Sequence, residues 1–356
     1  MTEAALTLAG RPSSLRIGIL TGGGDAPGLN GVIAAASQTL LSRGHAVFGI
    51  LDGFEGVFGG RMRQLHSEDL AGIHATAGTI LGTSNRSGTT GHEERFLAQY
   101  RALNLDGLIV AGGDGTFAAL APFASLIPIV GLPKTIDNDL PGTELTFGFD
   151  TACSVVAEAV DALRSTANAH RRILVVETMG RSAGWIALGG GLASQADAIL
   201  VPERPFSRSA LLKFVAARRE TGQRGFIAVV AEGAAAEGEA VAVARVVPGS
   251  PEPVRLGGIA AQLAQWLEHE TGWEARHVVL GHLQRARAPT TSDRLLCAAM
   301  GVEAAHMAMT GAFGQAVVSR RGRIERAPLS ELLGGTRRIA EGHPWVSLAD
   351  ALGIFV

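Results

Sequence analysis

Leu15–Asn30 reads LRIGILTGGGDAPGLN. Its first six residues form a short apolar run suited to a buried strand, and the run stops in a glycine turn. Gly31 to Arg43 then reads as a helix, so the segment opens as strand, glycine turn, helix. Ala46 to Leu51 follows as a second short strand. The pattern recurs where Gly107 to Val110 runs into AGGDGT and a helical Phe117 to Ala124. Strand Ile127 to Gly131 ends in LPKTIDNDLPG.

A long helix, Ala152 to Ala167, separates this region from a second series. There Arg172 to Glu177, Ala198 to Pro202 and Phe226 to Ala231 read as strands, with helices near Ala183 to Ala193 and Gly257 to Glu270. The predicted fold class is α/β: two Rossmann-like three-layer domains with mostly parallel sheets, facing across a cleft. Right-handed crossovers are expected, but they do not give the strand order. Ala234 to Ala240 is expected to form an exposed hairpin or loop, and no short tandem repeat is evident.

Composition bounds the function. At 356 residues the chain has room for two packed domains, and 47% apolar residues with only 14 Pro exclude a disordered chain. The 47 Gly imply many tight turns and close backbone approaches. A net charge of -2 argues against a general nucleic-acid binder, which needs a concentrated basic surface. Two cysteines, Cys153 and Cys297, make no disulfide framework and fit a reducing compartment. No apolar run approaches the ~18 residues of a membrane span. The expectation is a soluble, cytoplasmic protein.

The chemistry-bearing residues cluster at strand ends. Gly22-Gly23-Gly24-Asp25 is either a tight structural turn or a cradle in which backbone N–H groups approach an anion. Gly112-Gly113-Asp114-Gly115-Thr116 repeats the pattern at another strand's carboxyl end, the usual ligand crevice of an open α/β sheet. Asp114 is either a turn aspartate or a carboxylate orienting hydrated Mg²⁺ beside phosphates. In Lys134-Thr135-Ile136-Asp137-Asn138-Asp139, an extended backbone would point both aspartates alike. One is suited to take a hydroxyl proton while the other supports metal or loop geometry, and Lys134 offers a point charge to phosphate. The competing reading is an Asx-rich surface turn. Arg172, Arg181, Arg276, His282 and Arg285 recur near strand or loop ends, either as solvated surface groups or as phosphate ligands. Glu232 is suited to sugar hydroxyls or to a salt bridge. The chain has no HExxH, GxSxG or metal-spaced Cys/His cluster, which puts direct transfer ahead of zinc hydrolysis or acyl-enzyme chemistry.

Taken in order, GGGDAPGLN, AGGDGT, PKTIDND, RILVVETMGRSAG, VVAEG and VVLGHLQR resemble the 6-phosphofructokinase family from about Arg16 to about Ala298. GGDGT alone is weak, because other kinases use a similar loop. The resemblance implies an Mg²⁺-dependent transfer from ATP to the 1-hydroxyl of fructose 6-phosphate. Asp137 would be the base, with Thr135 and Asp139 assisting phosphate and metal geometry. Asp114 would belong to the Mg²⁺ site. Gly24, Arg86, Gly112, Gly113, Gly115, Thr116 and Lys134 would lie on the donor side. Arg181 would steady the transferring phosphoryl, with Met179 and Gly180 beside the sugar. Glu232, His282 and Arg285 would contact the sugar phosphate. Arg172 and Arg276 resemble a pair that reaches it from a neighbouring subunit, which implies a homodimer or homotetramer with shared sites. The implied division is 15–148 plus about 284–334 for the donor and 149–283 plus about 335–356 for the sugar phosphate.

Donor choice turns on two positions. Pyrophosphate-using relatives usually carry aspartate where Gly115 stands, so glycine favours ATP on volume and charge. Lys134 before TIDND points to pyrophosphate. The combination resembles a long-chain, mixed-substrate branch that contains ATP enzymes. Three departures stand out. TSNRSG, Thr83 to Gly88, is one residue longer than usual around Arg86, and Ala286-Arg287 replaces a glycine pair, placing a more charged loop beside the sugar. Ala34, Gln38, Thr221 and Gln223 stand where effector-site basic residues are expected, although Arg164 remains, which implies weak or altered classical effector control. A pyrophosphate-dependent enzyme, a kinase of a related sugar phosphate and a non-catalytic phosphosugar-binding paralogue are the alternatives.

Overall fold

The computed structural model describes residues 14–84, 88–247 and 253–356. The chain opens with β1 (Arg16–Thr21), α1 (Leu29–Leu41), β2 (Ala46–Ile50), the short α2 (Phe54–Phe58) and β3 (Met62–Leu65). Next come α3 (Glu93–Ala102), β4 (Gly107–Gly112), α4 (Asp114–Leu120) and β5 (Ile129–Pro133). The 22-residue α5 (Phe149–His170) leads to β6 (Ile173–Thr178), α6 (Trp185–Ala193), β7 (Ala198–Leu200), α7 (Arg208–Glu220) and β8 (Phe226–Ala231). Then β9 (Val243–Val246) and β10 (Val254–Leu256) precede α8 (Ile259–Thr271) and β11 (Ala275–Val279). The chain ends with α9 (Thr291–Thr310), β12 (Gln315–Arg320), β13 (Arg323–Pro328) and α10 (Pro344–Ala351).

Two α/β sheets result, a seven-stranded one in the order β13-β12-β5-β4-β1-β2-β3 and a four-stranded one in the order β11-β6-β8-β7. The smaller sheet is wholly parallel. In the larger one only the edge strands β3 and β13 run antiparallel. Sequence patterning anticipates the strands because their residues are buried on both faces, which demands continuous apolar runs. Ile17 and Ile19 of β1 face α1 and α9, whereas Leu20 packs with Leu108, Phe96 and Phe117 on the other side. The smaller sheet divides likewise, with Val176 and Val229 on one face and Val175 and Val230 on the other.

Two expectations need correction. Ala234 to Ala240 is a turn segment, but it is not uniformly exposed: Ala234 and Ala236 are buried beside Phe206, where Phe206 and Ala236 form an isolated bridge. Small side chains allow that close approach. The helix after AGGDGT also starts three residues early, so Asp114 occupies its first turn.

One carboxylate fastens the return of the chain. Asp293 in the first turn of α9 is 1% exposed and accepts from Gly148 N, Thr151 N and Thr151 Oγ1 at 2.9, 2.9 and 2.5 Å. It thereby satisfies the N-terminal donors of α5, which have no intrahelical acceptor. Asp293→Ala leaves three donors unpaired and is expected to cost about 3–5 kcal/mol in denaturant unfolding. Asp293→Asn keeps an acceptor and should cost clearly less; equal losses would rule out this bonding role.

Candidate active site

The carboxyl ends of β1, β4 and β5 place three loops side by side. Gly22 N donates to Ala111 O at 2.9 Å and Lys134 N to Gly112 O at 2.9 Å, so each loop leaves its strand in register with the next. On the smaller sheet Glu232 N donates to Thr178 O at 2.9 Å, setting the ends of β6 and β8 level. Residues from both groups of loops line one cavity of about 780 Å³.

On the larger sheet's side lie Gly23, Gly24, Gly113, Asp114, Gly115 and Thr116. Gly112 is just below, where a side chain would collide with Thr116. A Cβ at Gly115 would meet nothing within 4 Å, so that position opens onto free space. Gly24 differs, because a side chain there would strike the Arg285 guanidinium lying across it.

Lys134 is 4% exposed, and its Nζ donates to Gly24 O at 2.5 Å. Burial, reinforced by the Arg285 charge, brings its pKa down to about 8, against the pull of Asp137, Asp25 and Asp114. Asp137 is also 4% exposed, and its Oδ1 has no hydrogen-bond partner. Burial pushes its carboxyl above the usual range, while Arg285, Arg181 and Lys134 oppose that shift. Its backbone N–H donates to Thr135 Oγ1 at 3.1 Å.

The segment is not extended as its spacing suggested. Asn138 takes a left-handed φ of 51°, its Nδ2 donating to Glu144 O and its Oδ1 accepting from Thr146 N. Asp137 consequently lines the cavity, whereas Asp139 stands behind it outside the wall. Burial, then the charges of Asp137 and Asp114, raise Asp139 to about 7. Sequence reasoning missed the anchor of this turn. The Arg337 Nη1 donates to Asn138 O and its backbone N to Asp139 O, both at 2.6 Å, and its guanidinium lies 4.1 Å over Trp185. No nearby motif marks Arg337, which comes from the far end of the chain.

From the smaller sheet come Met179, Arg181, Glu232, His282 and Arg285. Gly180 lies outside the wall and takes φ 137°, a region that favours glycine. Arg181 N donates to Glu232 Oε1 at 3.0 Å, and Arg181 Nη1 lies 3.8 Å from Asp114 Oδ2, spanning the cavity. Burial lifts Glu232 to about 7, against the Arg181 N–H bond, with Asp137 and Glu177 adding to the rise. Arg285 Nη1 stands 4.0 Å from Asp25 Oδ1.

Other expected residues fall elsewhere. Arg172 pairs with Glu274, and Arg276 with Glu268 and Glu274, all outside this cavity. Arg86 lies outside the described residues. Arg287 pairs with Glu158 of α5 and is not among the residues lining the cavity. Arg164 is engaged by Asp197 at 2.6 Å, and Gln223 donates to the same carboxylate at 2.7 Å. Asp25 of the first glycine turn also lines the cavity, as do Phe54, Ser84 and the hairpin residues Arg245 and Arg255, which sequence reasoning left unmarked. The hairpin offers only two short stretches that mix charged and apolar residues. Among the described residues no group of three or more His, Cys, Asp or Glu is placed to hold a metal, and no helix is long and apolar enough to cross a membrane.

Glycine turns and arginines around buried carboxylates define an α/β site built for anionic ligands and proton transfer. The phosphofructokinase family model matches residues 16–308. The chain is 39% identical to the ATP-dependent 6-phosphofructokinase 2 of Clostridium perfringens, covering 95% of this chain and 97% of that one. It is 43% identical to the ATP-dependent 6-phosphofructokinase of Chloroflexus aurantiacus, again covering 95% and 97%. The pyrophosphate-dependent phosphofructokinase structure from Marinobacter aquaeolei shares the fold, with a TM-score of 0.80, 24% identity, and coverage of 96% and 88%. The chain belongs to the phosphofructokinase family.

The three carboxyls behave as an interacting set. With Asp139 and Glu232 at about 7, the acidic limb of kcat/KM is expected to fall near neutrality. Acid protonates the cluster, so activity should rise with pH through that window. Asp139→Asn removes a negative neighbour of Asp137, eases its ionisation and should move the limb to lower pH. A limb that stays in place would show the two carboxyls to be uncoupled.

Proposed function

We propose that the protein transfers the terminal phosphoryl group of ATP to the 1-hydroxyl of D-fructose 6-phosphate, giving ADP and fructose 1,6-bisphosphate. The observation that carries this reading is the position of Asp137. It is a buried carboxylate with an unpartnered oxygen, lining the cavity that also receives the glycine loops, Arg181, Glu232 and Arg285. Asp137 takes the hydroxyl proton, and Thr135 and Asp139 hold its segment. Arg181 steadies the transferring group. Gly24 and Gly112 to Thr116 receive donor phosphates. Met179, Gly180, Glu232, His282 and Arg285 hold the acceptor. We assign 15–148 plus about 284–334 to the donor side and 149–283 plus about 335–356 to the acceptor side. The pairing of β12 with β5, and of Phe355 with Ala198, supports that division.

Magnesium fits the residues present. Its habit is to use one or two carboxylates together with substrate phosphates and water. The Asp114 side chain, 56% exposed and on the cavity wall, offers such a ligand. When bound, the ion supplies neutralisation of donor charge. We place the protein in the cytoplasm and in the long-chain branch that joins Gly115 to Lys134.

ATP is favoured by the open space at Gly115. Lys134, the residue that argues for pyrophosphate, is engaged with Gly24 O, which weakens its claim on the donor. Turnover measured with ATP and pyrophosphate against several sugar phosphates decides donor and acceptor, and turnover with pyrophosphate alone would overturn the ATP reading. Gly115→Asp is expected to depress kcat/KM for ATP. Asp137→Asn should keep both substrates bound and lose ~10²–10⁴ in kcat; near-normal turnover would remove the base role.

We further infer an oligomer in which Arg172 and Arg276 serve a neighbouring subunit. Their exclusion from this chain's own cavity supports it. Mixed oligomers of Arg172→Ala and Asp137→Asn chains should regain activity, and verified mixtures that stay inactive would refute the sharing.

A further inference from the structure

Asp137 follows β5 of the larger sheet, but the residues on either side of it are held from the side of the smaller one. Ile136 is buried in the same apolar core as Ala183, Trp185 and Ile339. Asn138 is buried too, and its left-handed φ of 51° is a conformation that a side chain keeps only when its surroundings enforce it. Neither Asn138 nor Asp139 lies in a strand or helix. Their carbonyls therefore need donors from elsewhere, because a buried carbonyl without one is costly. Arg337 supplies both, its Nη1 to Asn138 O and its backbone N to Asp139 O.

Arg337 is itself fixed. Its guanidinium carbon lies 4.1 Å over the Trp185 ring, and its carbonyl accepts from Trp185 Nε1 at 2.9 Å. Trp185 is buried, with the His343 ring edge-on to it at 5.0 Å. Glu203 closes the frame, accepting from Gly184 N at 3.1 Å and from Ile339 N at 3.0 Å. One carboxylate thus ties the residue before Trp185 to the second residue past Arg337. Trp185 opens α6, four residues after Arg181. The Asn138 turn and the Arg181 loop are therefore built on one frame, while Arg337 stays outside the cavity wall.

We propose that Arg337 is a positioning residue, which holds the Asn138 turn against Trp185 so that Asp137 and Arg181 address the same reacting group. The two come from different sheets, and a misplacement of about 1 Å is enough to cost ~10²-fold in rate. Arginine suits this duty because its planar guanidinium stacks on a ring and donates in its own plane at once, which an ammonium does not. Supporting contacts of this kind decide whether a site is held to productive geometry. The roles of Asp137 and Arg181 are those proposed above, and the inference rests on them.

Steady-state kinetics with the donor and sugar phosphate that the wild type turns over best, together with melting curves, test it. Arg337→Ala is expected to lower kcat roughly 10- to 100-fold with both KM values within about twofold of wild type. Arg337→Lys keeps a charge and a donor but not the stacked plane, and should recover part of the loss. If Arg337 acts through Asp137, adding Arg337→Ala to Asp137→Asn should cost less than about threefold more in kcat. Full multiplication of the two single losses overturns the positioning role. So does a lower melting temperature, or a raised KM, with kcat intact. Should the alanine variant fail to fold, Arg337→Gln carries the same comparisons. Normal kcat in Arg337→Ala beside an inactive Asp137→Asn removes the positioning role alone. Near-normal turnover in Asp137→Asn removes the base role, and the inference falls with it.

Discussion

The site depends on one buried cation. Lys134 sits where β5 ends, and its ammonium reaches back to the Gly24 carbonyl, tying the third loop to the first. A lysine withdrawn from water is expensive unless oxygen ligands and opposite charges surround it. Here a carbonyl binds it, and Asp137, Asp25 and Asp114 counter the desolvation that would strip its proton. The same charge favours ionised Asp137, against the burial that raises its pKa. Lys134 and Asp137 thus each favour the other's charged form against the burial they share.

That mutual support extends outward. Arg285 crosses Gly24, opposes the rise in the Asp137 pKa, and also lowers that of Lys134. It is therefore both partner and competitor within one cluster. Arg181 links the two walls, its backbone held by Glu232 and its guanidinium facing Asp114. The set places acids on loops of both sheets against cations on both. Binding an anionic substrate shifts this balance toward the cations, whereas proton loss shifts it toward the acids. Such a cluster responds to charge in its cavity without needing a large change in the fold.

Sequence reading recovered what depends on local rules. Runs such as Leu15 to Leu20 and Phe226 to Ala231 are continuous because both faces are buried, so their extents were legible to within about two residues. Glycine loops were legible because they end those runs. Contacts between distant segments were not. Nothing near TIDND indicates that Arg337 will grip Asn138 and Asp139, or that Asn138 will turn left-handed and send the two aspartates to different places. The pairing of Arg287 with Glu158, on another helix, is likewise a contact between distant segments. The hairpin was the largest omission. Its strands are short and largely exposed, so neither a period of two nor a buried run marks them.

Gly115 and Lys134 pull the donor question in opposite directions only when read as isolated letters. Lys134 is part of the scaffold that holds Gly24 and Asp137, and its replacement would disturb the acid cluster whatever the donor. Its presence therefore carries little weight about donor length. Gly115 has no such duty, since a Cβ there would meet nothing within 4 Å. A position free of structural constraint beside a cavity is where side-chain volume and charge can be set by the ligand alone. An aspartate there would add negative charge near donor phosphates and take up room that a longer donor occupies. Glycine leaves both the room and the charge balance to the donor, which is why Gly115 outweighs Lys134 in favouring ATP.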